Sequence, residues 1–387
     1  MTAAAPGPHV YLVAGEESGD RLGAALIRAL RRERPDIRFS AVGGSHMADE
    51  GVASLFPLGE LAIIGFAAIV KNLPSILKRI NETADTVVAA KPDLLVIIDS
   101  PEFTHRVARK VRARAPQIPI VDYVCPSVWA WRSGRAKAMR GYVDRVLALL
   151  PFEPAAMARL GGPPTVFVGH PLAEQVDKLR PEGGPASRLE GPPLVLAMPG
   201  SRSGEVRRMA EVFGAALGQL AAQMGPFEVV VPTVERLETA VREAVARWPL
   251  PARVVTQPHE KYAAFRRARA ALAKSGTSTL ELALSGVPMV TGYKVAGLEA
   301  VVARLLIKVP SVILANLVLG RNVVPEFLQQ DCTPKNLAQA LAPLLADTPE
   351  RRQQVQAFAE LDEIMALGQG SPSEKAAAVV LATLQRI

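Results

Sequence analysis

Short apolar runs with little polar alternation recur along the chain. In the first half they are HVYLVAG (9–15), IRFSAVGG (37–44), DLLVIIDS (93–100), IPIVDYVC (118–125) and RVLALLP (145–151); in the second, LVLAMPG (194–200), FEVVVPT (227–233), ARVVTQ (252–257), AALAKSG (270–276) and PMVTGYKV (288–295). Runs of Val, Ile and Leu without alternation suit strands of a parallel sheet covered on both faces. Helix-period stretches such as RLGAALIRALRRE (21–33) and THRVARKVRAR (104–114) separate the early strands, and helices are expected at 78–90, 205–224, 234–247, 259–269 and 277–285. Regular alternation of strand and helix predicts doubly wound α/β. Between 171 and 193 the composition turns to Pro and Gly (PLAEQVDKLRPEGGPASRLEGPP), which reads as a linker, and past about 335 the pattern is helical to the end with breaks at Pro349 and Pro372. A chain of 387 residues suits two domains better than one core.

One device occurs in both halves: a β-branched strand, a Gly-containing turn and a helix, at VYLVAGEESGDRLGAALIRAL (10–30) and PLVLAMPGSRSGEVRRMAEVF (193–213). The copies carry opposite charge. Glu16, Glu17 and Asp20 crowd the first turn and disfavour a phosphate there, whereas Arg202, Arg207 and Arg208 surround the second, whose backbone N–H groups suit an anion. A nucleotide on the C-terminal half is the simplest consequence. The first turn also lacks GxGxxG, which disfavours a dinucleotide dehydrogenase.

Composition narrows the classes of partner. The formal net charge of +8 permits nucleic acid, anionic lipid or phosphorylated substrates, but aromatics are only 5% of residues and form no stripe with the basic ones, which disfavours nucleic acid. Apolar residues reach 49%, yet no run approaches the ~20 that a spanning helix needs. The N-terminus lacks a basic stretch before its first strand, so no signal peptide and a cytoplasmic location are expected. Cys125 and Cys332 are far apart and lack metal-ligand spacing, so both read as reduced structural thiols.

Candidate chemistry gathers at strand ends, where open α/β sheets bind ligands. At Gly200-Ser201-Arg202 free N–H groups and a guanidinium fork suit two phosphate oxygens, although such turns also occur as plain scaffolding. At Lys274-Ser275-Gly276-Thr277-Ser278 the turn suits a diphosphate with Glu281 left for ribose hydroxyls; equally, Ser278 and Glu281 fit a capping box. Asp99 ends the most apolar strand, placed to take a proton from an attacking hydroxyl or to cap the next helix. Trp129 and Trp131 share one loop and either wall a pocket or pack between domains. The apolar stretch LAIIGFAAIVKNLPSILKRI (61–80), with Lys71, Lys78 and Arg79, fits a buried helix or an interfacial segment, and AVVARLLIKVPSVILANLVLG (300–320) admits the same two readings.

Taken together, GEESGD (15–20), IDSPEF (98–103), PSVWAWR (126–132), LPFE (150–153), GHPLAE (169–174), PGSR (199–202), SGTSTLE (275–281), ANLVLGR (315–321) and EFLQ (326–329) resemble the lipid-A-disaccharide synthase family over nearly the whole chain. The resemblance implies a GT-B glycosyltransferase: two Rossmann-like domains facing a cleft, 1–175 for the acceptor and membrane and 190–348 for the UDP-sugar, with a C-terminal helix, about 350–387, returning to the first. It implies inverting transfer of 2,3-diacylglucosamine from its UDP donor to 2,3-diacylglucosamine 1-phosphate at the inner membrane surface, with no cofactor or metal. Asp99 is then the base and Arg202 the charge-neutralising residue. Gly200, Ser201, Ser275, Gly276, Thr277, Glu281, Asn316, Arg321, Glu326 and Gln329 fall on the donor side, and Glu16, Ser18, Asp20, Trp129 and Trp131 on the acceptor side. Glu17 departs from the family, where Thr is commoner. Contact with acylated sugars favours an interfacial 61–80, with Ile63, Ile64, Phe66 and Ile69 toward lipid. Two alternatives are a UDP-sugar 2-epimerase of the same fold and a non-catalytic, membrane-docked nucleotide-sugar-binding protein. Oligomeric state is not legible.

Overall fold

The computed structural model describes residues 7–61, 66–295, 309–366 and 370–385, with the backbone alone over 66–73. Two compact units divide the chain, Met1–Pro171 with Gly368–Ile387, and Leu172–Leu367.

In the first unit six parallel strands, β1 (His9–Ala14), β2 (Arg38–Val42), β3 (Leu94–Ile98), β4 (Ile120–Tyr123), β5 (Arg145–Ala148) and β6 (Thr165–Phe167), lie in the order β2-β1-β3-β4-β5-β6. Both faces are covered, which explains the unbroken apolar runs. Val10, Leu12 and Ala14 of β1 pack with Leu22, Leu26, Ile27 and Leu30 of the helix Glu17–Glu33, while Tyr11 and Val13 pack with Val107 and Val111 of the helix Pro101–Arg114.

The second unit repeats the plan with β7 (Leu194–Met198), β8 (Glu228–Pro232), β9 (Arg253–Val255), β10 (Ala270–Lys274), β11 (Met289–Tyr293) and β12 (Glu326–Leu328), ordered β12-β11-β10-β7-β8-β9. Val195 and Ala197 of β7 pack with Met209, Phe213 and Leu217 of the helix Ser203–Met224. Each sheet grows first to one side and then to the other. The reversal falls between β1 and β3 in the first unit and between β7 and β10 in the second, and such switch points are where open α/β sheets take ligands.

Three expectations change. The stretch 171–193 is folded onto the second unit: Arg188 donates to the carbonyls of Phe265, Ser285 and Gly286, and Arg269 donates to those of Arg188, Leu189 and Gly191. Guanidinium groups supply the order that Pro and Gly do not. Second, only the helix Pro372–Leu384 returns to the first sheet, where Ala376, Ala377 and Val380 join its core. The preceding helix Pro349–Ile364 stays with the second unit, its Gln354 amide bracketing Met289 by accepting from the backbone N–H at 2.8 Å and donating to the carbonyl at 3.0 Å. Third, β6 and β12 were not foreseen, because three-residue edge strands lacking a fully buried face carry no readable pattern.

Among the described residues no helix is long and apolar enough to cross a membrane. Ile63 and Ile64 lie outside the described residues; Phe66 and Ile69 lie on the helix Phe66–Ala90, with their side chains outside the description. Of the stretch 300–320, the described part contributes Ile313, Ala315, Val318 and Leu319 to the buried interior, while Pro310 and Gly320 are exposed. Cys125 and Cys332 are free and buried.

Candidate functional site

At the first switch point the turn after β1 meets the end of β3. Gly15 makes this approach possible, since a Cβ there would stand 2.5 Å from the Ser100 Cβ. Ser18 Oγ donates to Asp99 Oδ2 at 2.9 Å, and the Ser100 N–H donates to Asp99 Oδ1 at 2.8 Å. Asp99 and Ser100 both hold left-handed backbone, with φ of 53° and 45°. Two successive non-glycine residues in that region cost roughly 1–3 kcal/mol each, a strain that clusters at functional positions. The carboxylate is thereby fixed beyond the strand end, half-buried, with Glu16 and Ser18 exposed beside it.

Asp20, placed with Glu16 and Ser18 by the sequence reading, turns the other way. It is 1% exposed and accepts from the backbone N–H groups of Gly44 at 2.7 Å, His46 at 2.9 Å and Met47 at 3.1 Å. The carboxylate braces the loop after β2 rather than facing outward with Glu16 and Ser18. Asp20→Ala orphans one buried and two part-buried donors and is expected to lower unfolding free energy by about 2–4 kcal/mol, at ~1–3 kcal/mol for the buried group and less for the other two. Urea denaturation checks this; a loss below about 1 kcal/mol would contradict the bracing role.

The aromatic loop is held from beneath. Trp129 is half-buried, donates its indole N–H to Glu153 Oε1 at 3.1 Å and meets the Phe152 ring edge-on at 4.9 Å. Trp131 remains 38% exposed under the Arg132 guanidinium, which lies 4.3 Å from its ring centroid. Trp129 therefore packs inside its own unit, and Trp131 is the one that presents an open face. Glu153 also accepts from the Leu150 N–H at 2.9 Å. Burial pushes its pKa up to about 7 against these two donors, which favour the ionised form. The unfolded glutamate ionises near its ordinary value of 4.5, so between there and 7 the folded state keeps a proton the unfolded state has lost. Stability is then fullest below that window and declines by about 3 kcal/mol as pH rises through it. Denaturant titrations of wild type and Glu153→Gln at pH 5 and pH 8 are expected to show the decline in wild type alone.

In the second unit the turns after β7 and β10 flank the other switch point. Gly200 has φ of 137°, and a Cβ on it would stand 2.6 Å from the Glu205 Cβ, so only glycine lets the turn fold over that side chain. Glu205 Oε2 accepts the Ser201 N–H at 3.1 Å, and Lys274 Nζ lies 3.0 Å from Glu205 Oε1. Arg202 reaches only to 3.8 Å of the same oxygen and is 72% exposed along its side chain. Arg207 is exposed, and Arg208 Nε donates to the Lys294 carbonyl at 3.2 Å.

The capping-box reading of Ser278 and Glu281 does not hold. The helix Thr277–Leu284 is entered from Gly276 with no side-chain cap, and Glu281 takes the Lys261 ammonium at 2.6 Å. First-turn N–H groups at Thr277 and Ser278 therefore have no acceptor within the helix. Ser275 Oγ donates to the Val312 carbonyl at 2.8 Å, tying this turn to the loop that follows. Asn316 is committed to that loop, its Oδ1 accepting from Val323 and Val324 N–H and its Nδ2 donating to the Val324 carbonyl at 3.0 Å. Glu326 accepts from Ser311 Oγ and from the Val312 N–H. Asn316 and Glu326 thus shape the 311–326 loop with their polar atoms turned into it. Arg321 pairs with Glu360 at 2.6 Å on the surface, and Gln329 is half-buried beyond β12 with φ of 52°.

Two residues escaped the sequence reading. Lys274 was quoted without a role, and Glu205 was passed over although it stands three residues after Arg202, where an acidic side chain can fold back on a helix start.

The model of the lipid-A-disaccharide synthetase family matches residues 10–380. The lipid-A-disaccharide synthase of Nitrobacter hamburgensis is 59% identical over 385 residues, 99% of this chain and 97% of its own. That of Bradyrhizobium diazoefficiens is 58% identical over 98% of both chains. Solved structures with the same fold include a UDP co-structure of S. aureus MnaA (TM-score 0.64, 14% identity, 98% of each chain). Another is MurG of Acinetobacter baumannii (TM-score 0.58, 17% identity, 98% of this chain and 100% of that one). These neighbours establish the GT-B α/β architecture that the sequence led us to expect. Sequence identity carries the activity: the enzyme is a glycosyltransferase that forms the lipid A disaccharide. With nearly its whole length matched and its two switch points furnished as described, the chain belongs to the lipid-A-disaccharide synthase family.

Proposed function

We propose that the enzyme transfers 2,3-diacylglucosamine from its UDP donor to 2,3-diacylglucosamine 1-phosphate, giving the β-1,6-linked disaccharide 1-phosphate and UDP. Asp99 takes the proton of the acceptor 6-hydroxyl as that oxygen attacks the anomeric carbon; the bond to UDP breaks on the opposite face, with inversion. Arg202 meets the negative charge that develops on the departing diphosphate. The single observation that carries the reading is the carboxylate at the first switch point, held in strained backbone and aimed by Ser18. Glu16, Ser18 and Trp131 belong to the acceptor side, with Asp20 and Trp129 supporting them. On the donor side, Gly200, Ser201, Arg202, Ser275, Gly276, Thr277 and Glu281 form the diphosphate and ribose contacts, Arg321 and Gln329 are assigned to the same side, and Asn316 and Glu326 hold the loop.

The test supplies both acylated sugars to purified enzyme and follows UDP and the disaccharide by mass spectrometry. UDP release that needs both substrates supports transfer. Conversion of UDP-N-acetylglucosamine without a lipid acceptor would instead identify a 2-epimerase, and binding without turnover a nucleotide-sugar-binding protein.

Acylated substrates place the enzyme at the inner face of the cytoplasmic membrane; of the 61–80 segment, Leu61, Ile76 and Ile80 pack with the core of the first unit and Arg79 pairs with Glu60 and Glu82, which leaves 62–73, apolar in sequence and followed by Lys78, to suit that contact. Changing Ile63, Ile64, Phe66 and Ile69 together to Ser is expected to release the protein from anionic vesicles in a flotation assay while its melting temperature stays put. An unfolded product would mark these residues as core.

A further inference from the structure

We propose that Lys274 is a further ligand of the donor diphosphate, placed between the two turns and held there by Glu205. This rests on the reading of the second unit as the UDP site. Lys274 is the last residue of β10, directly at the switch point between β7 and β10. Its side chain is only 16% exposed, and its ammonium has a defined seat: 3.0 Å from Glu205 Oε1 and 4.6 Å from the centroid of the Tyr293 ring. A Cβ built on Gly276 would lie 3.5 Å from Nζ, so the ammonium stands over the Ser275–Thr277 turn. Glu205 binds the ammonium with one oxygen and the Ser201 N–H with the other, which ties the ammonium to the Gly200–Arg202 turn as well. The positive charge therefore bridges the two turns that flank the site.

Arg202 and Lys274 then divide the work. Arg202 is largely exposed and must be ordered when the nucleotide arrives, whereas Lys274 is already fixed by a carboxylate and an aromatic face. A cation that needs no reorganisation gives the larger return on a developing charge. Ammonium has three N–H donors, and the carboxylate and the ring face engage two, so a phosphate oxygen over Gly276 can take the third. The competing account is that Lys274 serves only to neutralise a buried Glu205.

Calorimetric titration of full-length wild type, Lys274→Met, Lys274→Arg, Glu205→Gln and the double variant Glu205→Gln/Lys274→Met with UDP and with uridine separates the accounts. Lys274→Met is expected to weaken UDP at least tenfold and leave uridine unchanged, Lys274→Arg to retain most of the affinity, and the double variant to stay as weak as Lys274→Met. The double variant buries no unpaired charge, so it carries the comparison if Lys274→Met does not fold. UDP affinity within twofold of wild type in Lys274→Met, or affinity in the double variant that recovers above Lys274→Met or stays within twofold of Glu205→Gln, would overturn the proposal. Wild type that fails to bind UDP would remove the donor-site reading itself, and the proposal with it.

Discussion

Asp99→Asn is expected to cut turnover about a thousandfold, within the 10²–10⁴ range for loss of a positioned general base, while fold and UDP affinity stay at wild-type values. Asparagine is the informative replacement because it tolerates left-handed backbone at least as well as aspartate, its Oδ1 can still accept the Ser100 N–H, and its amide N–H can donate to Ser18 Oγ in place of the bond that Ser18 now donates. The carboxylate charge, and with it the ability to accept a proton, is lost. Alanine at this φ of 53° would add backbone strain and confuse the result. Glycine makes a second control: Asp99→Gly should be inactive yet gain about 1 kcal/mol of stability as strain is relieved. Ser18→Ala leaves the carboxylate but removes one of its guides, so a smaller loss of turnover, about tenfold, is expected from misorientation. Single-turnover rates with both acylated sugars, read beside UDP titrations and denaturation curves, check all three. Asp99→Asn retaining more than a tenth of wild-type turnover would exclude Asp99 as the base and direct attention to Glu16 or Glu102.

Arg202→Met should lower turnover by about 10²–10³, the scale seen when a preorganised electrostatic donor is removed, with stability changed by less than about 0.5 kcal/mol. The asymmetry follows from its setting. The guanidinium is 72% exposed and its nearest carboxylate oxygen is 3.8 Å away, so nothing in the folded protein depends on it. Arg202→Lys keeps the charge but loses the planar fork, and an intermediate loss is expected because two phosphate oxygens can no longer be held in parallel. The effect should fall chiefly on turnover, since the charge being met grows as UDP departs. A rise in KM with turnover unchanged would mean that Arg202 only holds the ground-state donor.

The two switch points differ in how much the sequence discloses. Asp99 was readable because a carboxylate after LLVII ends a strand that no water reaches, and PGSR and SGT were readable as strand-to-helix turns. Contrast in charge between the 15–20 and 199–208 turns already separated an acidic half from a basic one. That contrast survives with one amendment: Asp20, counted among the acidic wall, is spent on the N–H groups of Gly44, His46 and Met47. Nothing local distinguishes a carboxylate that faces solvent from one that turns under its own helix to a loop 24 residues away.

Local pattern also determined the doubly wound class and most of the strands, because each depends on periodicity or on turn chemistry within a few residues; helix starts were less legible, since the helices expected from 21, 78 and 104 begin at Glu17, Phe66 and Pro101. Tertiary structure alone decided which strands are neighbours. Pairing β1 with β3 and β7 with β10 joins segments about 80 residues apart and brings Ser18 to Asp99 and Glu205 to Lys274. It likewise decided the fate of 171–193, where a composition typical of a linker is ordered by Arg188 and Arg269 reaching carbonyls of distant elements. Side chains long enough to leave their own segment, and strands whose partners lie far along the chain, carry no local signature; their positions are set by what the rest of the fold leaves to be bonded.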